Sequence, residues 1–500
     1  MIKLFVSMLL MISPLFPGDL FVQKGHYTLS YDELSLPGGE DLGLLGSSYL
    51  YDFDSAYLGV GIYSAVSGKR GGFFTGGLEA GYRYDVTKDI SLDAGLFVGG
   101  GGGGSAPQGG GLMLRPHISV SYELYGYKLG FGYSKVKFPN GDIDSDQVYL
   151  QFVIPFQSVH KKNTNSPMIM DDLEDFMKTS GKSIGWSSRY FAITLQRYMI
   201  PSGVRDTSGA LVKKDMSLIG FEYGRYFSKH IFGFLETAGA AGGGADGYAE
   251  VLGGVGYRVP IFKNMSANAK VSLGAAGGGR VDTSGGVVHK ETLGLHVSLN
   301  KKFAIDAELG HMQAIDGDFK ATAIKFGFNY KFNSLEVGKG LKPLNSYESF
   351  GDYEWNINLS NQRYFSDKNI RKGGSDSSAI NLIGFEIDKL LDNDFYFTGE
   401  ALGAYSGNSG GYAVGLIGIG KRKQITKKFD LFTKMLVGVA GGGGVSTGSG
   451  LVFQPMVGLG YRYSNSIGIR GSFGRVKAMS GSLDTFVFDL GISYKFKSIN

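Results

Sequence analysis

The sequence predicts an all-β chain whose antiparallel strands close into transmembrane barrels. Three observations predict it. Apolar and aromatic residues occupy every second position through segments such as 324–332, the segments are joined by alternately long and short connections, and the whole set recurs three times in 500 residues.

The alternation is sharpest in the strands that close each copy. Ile324, Phe326, Phe328, Tyr330 and Phe332 share one face, and Lys325, Gly327, Asn329 and Lys331 share the other. A strand sends successive side chains to opposite faces, so one face is greasy and the other polar or small. Val148, Leu150, Phe152, Ile154 and Phe156 repeat the pattern early in the chain, and Phe486, Phe488, Leu490, Ile492, Tyr494 and Phe496 repeat it at the end.

The repeats are legible as constant offsets. Leu218-Ile219-Gly220-Phe221-Glu222 returns as Leu382-Ile383-Gly384-Phe385-Glu386, 164 positions on, and Gly247-Tyr248-Ala249 returns as Gly411-Tyr412-Ala413 at the same offset. Copies are expected over 26–156, 187–332 and 353–496, separated by linkers at 157–186 and 333–352. The first linker holds an expected amphipathic helix, with Met170, Leu173, Phe176 and Met177 opposite Asp171, Asp172, Glu174 and Asp175.

Within the second copy, eight strands are expected near 188–200, 215–227, 230–241, 247–261, 265–276, 288–299, 303–313 and 320–332. Their lengths match the roughly 9 to 11 residues a tilted strand needs to cross a bilayer. Connections after odd strands are long or glycine-rich and those after even strands are tight, the asymmetry of a membrane barrel. On the fourth strand, Ala249, Val251, Val255, Tyr257 and Val259 oppose Tyr248, Glu250, Gly254, Gly256 and Arg258.

Composition narrows the class. The chain has 81 glycines, 35 phenylalanines and 29 tyrosines, with no collagen period, which suits aromatic strands broken by glycine turns. The net charge of +5 comes from interspersed signs with no basic cluster, so nucleic acid is not an expected partner. The absence of cysteine removes disulfides, thiolate metal sites and cysteine nucleophiles. Lys3 followed by an apolar run over 4–16 reads as a secretory signal over residues 1–18.

Eight alternating strands per copy, with copies ending in Tyr330-Lys331-Phe332 and Tyr494-Lys495-Phe496, resemble the small eight-stranded outer-membrane barrel families. That resemblance implies residence in the outer membrane of a Gram-negative bacterium, contact with its lipid, and recognition of the terminal aromatic residue by the barrel assembly machinery. Lys497 to Asn500 follow the last phenylalanine, a departure from the pattern.

The same strands could make three rings of eight or one ring of about 24. Long joints between copies favour three; abundant glycine on the inner face favours one wide, water-filled ring. The expected function is a non-enzymatic structural or surface-interaction role, with a porin or export channel as the alternative belonging to the wide ring.

Candidate sites are few. Gly99 to Gly104, Gly277 to Gly279 and Gly441 to Gly444 lack the lysine and hydroxyl that a phosphate loop needs, and are expected to let strands bend and pack at the rim. Inward charges are expected at Arg83, Glu236, Arg258, Glu400 and Arg422, as internal ion pairs or as a charged constriction. His117 with Ser119, and His296 with Ser298, share strand faces in a way similar to outer-membrane lipid A deacylases, which supplies a lipid-modifying esterase as a third reading. No catalytic residue, metal ligand or cofactor is assigned, and the sequence specifies no extracellular partner.

Overall fold

The computed structural model describes residues 20–161, 173, 177–178, 181–338, 341–342, 352–365, 368–374, 376–391 and 394–499. The expected signal segment and almost all of the expected linker helix lie outside them. Among the described residues no helix is long and apolar enough to cross a membrane.

Twenty-four strands form three sets of eight. The first set is β1 (Leu20–Leu36), β2 (Glu40–Phe53), β3 (Ala56–Ser67), β4 (Phe74–Asp85), β5 (Ile90–Gly102), β6 (Met113–Leu124), β7 (Tyr127–Lys137) and β8 (Asp144–Lys161). The second is β9 (Ile184–Met199), β10 (Met216–Tyr226), β11 (Ile231–Gly242), β12 (Ala249–Phe262), β13 (Met265–Gly277), β14 (Val287–Ser298), β15 (Phe303–Ala314) and β16 (Lys320–Val337). The third is β17 (Asp352–Tyr364), β18 (Ile380–Leu390), β19 (Phe395–Ser406), β20 (Ala413–Gln424), β21 (Phe429–Gly441), β22 (Leu451–Arg462), β23 (Ile467–Ala478) and β24 (Asp484–Ile499).

Each set pairs antiparallel with its neighbours and then with itself. Tyr27 of β1 faces Ile154 of β8, Ile193 of β9 faces Phe328 of β16, and Ile357 of β17 faces Tyr494 of β24. Those seams close three rings of eight, so the single wide ring is not what the chain forms. Closure satisfies every strand edge within its own ring, which a hydrocarbon surround requires.

Side-chain exposure decides which face meets lipid. Phe326 and Phe328 are 56% and 49% exposed, whereas Lys325 and Asn329 are 2% and 1% exposed. Val148, Leu150, Phe486, Phe488 and Leu490 also face outward, and on β12 Val255, Tyr257 and Val259 face out while Glu250 and Arg258 face in. A soluble barrel would show the reverse. Inner-face glycine, which favoured a wide ring, serves a narrow one: a Cβ at Gly224 would lie 2.1 Å from the Tyr190 ring, and one at Gly420 would lie 2.1 Å from that of Tyr396. Glycine on one strand makes room for an aromatic ring reaching across from the next, and the lumen fills.

The rings are packed against one another. At the loop end, a Cβ on Gly100 would fall 2.5 Å from the Gly403 carbonyl oxygen, one on Gly72 would fall 2.1 Å from the Gly278 nitrogen, and one on Gly441 would fall 2.2 Å from the Gly247 nitrogen. The glycine runs therefore do more than bend the rim: each lies backbone to backbone against another barrel. Gly71 N–H donates to Ser284 O (2.7 Å) and Gly411 N–H to Gly101 O (2.9 Å) across these contacts. At the short-turn end, the closing strands run past their expected limits because their tails meet: Ser158 pairs with Glu336, and His160 with Ser498. Leu173 is buried there with Val159, Ile184, Trp186, Leu335 and Ile499.

Candidate functional site

The polar chemistry of this chain is inside its barrels. In each, the lumen at the loop end is filled by an apolar cluster, such as Leu34, Leu42, Tyr63, Phe73, Phe97 and Phe138 in the first. Comparable clusters occupy the second and third. Charged layers lie beneath.

In the second barrel, register places Glu222 of β10 directly opposite Glu236 of β11. Two facing carboxylates repel, and cations from the far wall hold them together. Lys325 Nζ donates to Glu222 Oε2 (2.5 Å) and Glu236 Oε2 (2.6 Å), while Lys270 Nζ donates to Glu222 Oε1 (2.7 Å) and Glu308 Oε1 (2.6 Å). Lys290 Nζ donates to Glu236, to Glu250 Oε1 (3.1 Å) and to the Tyr198 hydroxyl (3.0 Å). Buried charge is costly unless it is paired and hydrogen-bonded, and here it is both.

The third barrel keeps the facing pair as Glu386 and Glu400. Lys434 Nζ donates to both, at 2.6 and 3.0 Å, and Arg470 Nη1 donates to Glu386 Oε1 (3.1 Å) and Asp388 Oδ2 (2.6 Å). The first barrel has neither glutamate. It buries Arg115 against Asp32 (Nη2 to Oδ1, 3.0 Å) and over the Tyr149 ring (4.4 Å to its centroid), and Ser48 donates to Glu79 Oε2 (2.5 Å).

The five inward charges expected from sequence are spread over the three lumens, Arg83 in the first, Glu236 and Arg258 in the second, and Glu400 and Arg422 in the third. Glu236 and Glu400 sit in the mid-barrel networks just described. Arg83, Arg258 and Arg422 lie toward the short-turn end of the fourth strand of each ring. Arg83 Nη2 donates to His26 Nε2 (3.0 Å), Arg258 Nε to Asn268 Oδ1 (2.7 Å), and Arg422 Nη2 to Glu354 Oε1 (3.0 Å). The expectation missed Lys270, Lys325, Lys434, Glu222, Glu386, Arg115 and Asp32. Their signal was present, since inward parity with opposite sign across the ring marks an ion pair, and Lys325 already stood on the polar face.

The histidine and serine pairs do not meet. His117 Nε2 faces Asp93 Oδ1 (3.2 Å) and Ser119 Oγ accepts from Gln151 Nε2 (2.7 Å). His296 Nδ1 faces Asp306 Oδ1 (2.5 Å), and Ser298 Oγ accepts from Lys331 Nζ (2.9 Å). A serine nucleophile needs its base within hydrogen-bond reach, and among the described residues neither pair has that contact. Among the same residues no group of three acidic or histidine side chains is placed to hold a metal ion.

No family model matches the chain, and no curated protein matches it. Among solved structures it is similar to the siderophore receptor PirA from Acinetobacter baumannii, at 9% identity and a TM-score of 0.28, over 97% of this chain and 81% of that one. It is similar to OccK11 (OpdR) from Pseudomonas aeruginosa, at 11% identity and a TM-score of 0.22, over 96% of this chain and 98% of that one. A chain from a de novo design of transmembrane β-barrels aligns at 11% identity and a TM-score of 0.20, over 30% of this chain and 96% of that one.

Proposed function

We propose that this chain is a non-enzymatic outer-membrane protein that works through its surfaces: three sealed barrels joined into one block, anchored in lipid and presenting their loops outward. The observation that carries the reading is the filling of all three lumens, charged side chains tied to one another at mid-barrel and apolar clusters at the loop end. A lumen so filled has no continuous water path for a solute.

The expected partners are outer-membrane lipid along the outward apolar faces and the barrel assembly machinery during insertion, with the long loops, such as 200–215, as the surface open to an extracellular partner. Neither nucleic acid nor a cofactor has a part in this reading. Reconstitution into planar bilayers tests it. The purified protein is expected to leave the membrane at its baseline conductance, and regular open-channel steps that persist across preparations would restore the transport reading.

A further inference from the structure

We propose that the short-turn mouth of the third barrel is a binding site for a small monovalent anion, held between Arg462 and Lys495. A cavity of about 20 Å³ opens there, lined among others by Glu354, Arg422, Asp430, Arg462, Arg470 and Lys495. Lys495 is only 8% exposed, yet its ammonium group has no hydrogen-bond or ion-pair partner among the described residues. Arg462 likewise has no side-chain partner, and its Nε is fully buried. Arg422 is already engaged by Glu354, at 3.0 Å.

The second barrel is a built-in control for this arrangement. At the same register Lys331 donates to Ser298 Oγ at 2.9 Å. The third barrel has Arg462 where the second has Ser298, and Asp430 where it has Ser266. Replacing a hydroxyl acceptor by a second cation removes the lysine's partner and adds repulsion. Among the described residues no carboxylate oxygen forms an ion pair with either cation, and the cavity lining holds four cations to three carboxylates, Glu354, Asp388 and Asp430. A buried lysine beside a part-buried arginine, in a mouth with one cation in excess, is costly, and an anion between them supplies both the missing charge and the acceptor lone pairs. On the deep side, Asp388 Oδ1 and Asn356 Oδ1 also lack partners. They are acceptors and call for water, which confines the anion to the outer, cationic half of the cavity.

Size sets the class of ligand. The cavity is of the order of one or two water molecules. A halide or the oxygen end of a carboxylate fits, and a sugar or nucleotide does not.

Bromide is the probe. Crystals of the full chain soaked in sodium bromide are expected to show an anomalous peak within hydrogen-bond distance of Lys495 Nζ and Arg462, with none beside Lys331. The peak is expected to vanish in Lys495→Met/Arg462→Gln crystals, whose density also reports whether the barrel has folded. In solution, the excess chloride NMR line width contributed by the detergent-solubilised protein is expected to fall in the same variant and to persist in Lys495→Arg. A wild-type map with no peak at this mouth, an equal peak beside Lys331 (an adventitious ion only), or a Lys495 ammonium in contact with Asp430 would each overturn the proposal.

Discussion

The second and third barrels have the same strands in the same register, and they neutralise the same pair of facing glutamates differently. Glu222 and Glu236 are bridged by Lys325 from the closing strand, with Lys270 and Lys290 on either side. Glu386 and Glu400 are bridged by Lys434, the counterpart of Lys270, while Asp489 stands in the place of Lys325. Lys290 and Glu250 of the second barrel are both uncharged in the third, as Gln454 and Val414, and Gln454 Nε2 instead donates to Glu400 Oε1 (3.1 Å). The backbone frame therefore fixes where charge sits, and the partner is negotiable provided both members of a pair change together. That is what buried electrostatics demands, because an orphaned charge costs far more than a missing pair.

The largest expected effect breaks this rule on purpose. Lys325→Met leaves Glu222, Glu236 and Glu308 sharing fewer cations and is expected to destabilise the second barrel by about 3–5 kcal/mol. Urea unfolding of protein refolded into vesicles measures it. The comparison sharpens with Lys290→Gln and Glu250→Val, which rewrite the second barrel toward the third. Each alone is expected to be clearly destabilising, and the double variant is expected to recover most of the loss. Purely additive costs would show that the two lumens are not alternative solutions of one problem.

A smaller effect is expected where barrels touch. Gly403→Val places side-chain atoms against the Gly100 carbonyl, where backbone cannot give way, and is expected to cost about 1–3 kcal/mol as overpacking while leaving each ring closed. Heat-dependent gel mobility together with proteolysis of the loop end reads both outcomes. The smallest effect is expected at Lys389, whose ammonium lies 4.4 Å from the ring centroid of Tyr330 in the second barrel and 4.2 Å from that of Tyr353. Lys389→Met removes a cation–π contact between barrels worth about 0.5–2 kcal/mol, and the same unfolding measurement resolves it.

The parts of this fold legible in the sequence are those carried by local period. Parity in 324–332 separated an apolar from a polar face, the loop asymmetry and aromatic strand ends turned the apolar one toward lipid, and constant offsets aligned three copies strand by strand. Ring closure was less legible, because the joint lengths and the inner-face glycines point opposite ways. The conflict dissolves only when Gly224 is seen beneath Tyr190, a pairing between neighbouring strands. The meeting of Gly100 with Gly403 was out of reach: two segments some 300 positions apart carry no shared pattern, and glycine has no side chain to advertise a partner. At the candidate site, Glu236 and Glu400 were identified by repetition, and Lys270 with Lys434 recurs at the same offset, whereas Lys290 and Lys325 are replaced by Gln454 and Asp489 and repetition passes over them.

Separate closure of the rings is the claim on which the sealed lumens, the paired charges and the surface role depend. The chain has no cysteine, so introduced pairs report without background. With Tyr27→Cys and Ile154→Cys together, mild oxidation in the membrane is expected to join β1 to β8, and Ile154→Cys with Phe191→Cys is expected to stay reduced. A disulfide between positions 154 and 191, with none between 27 and 154, would contradict three rings and restore the single wide one.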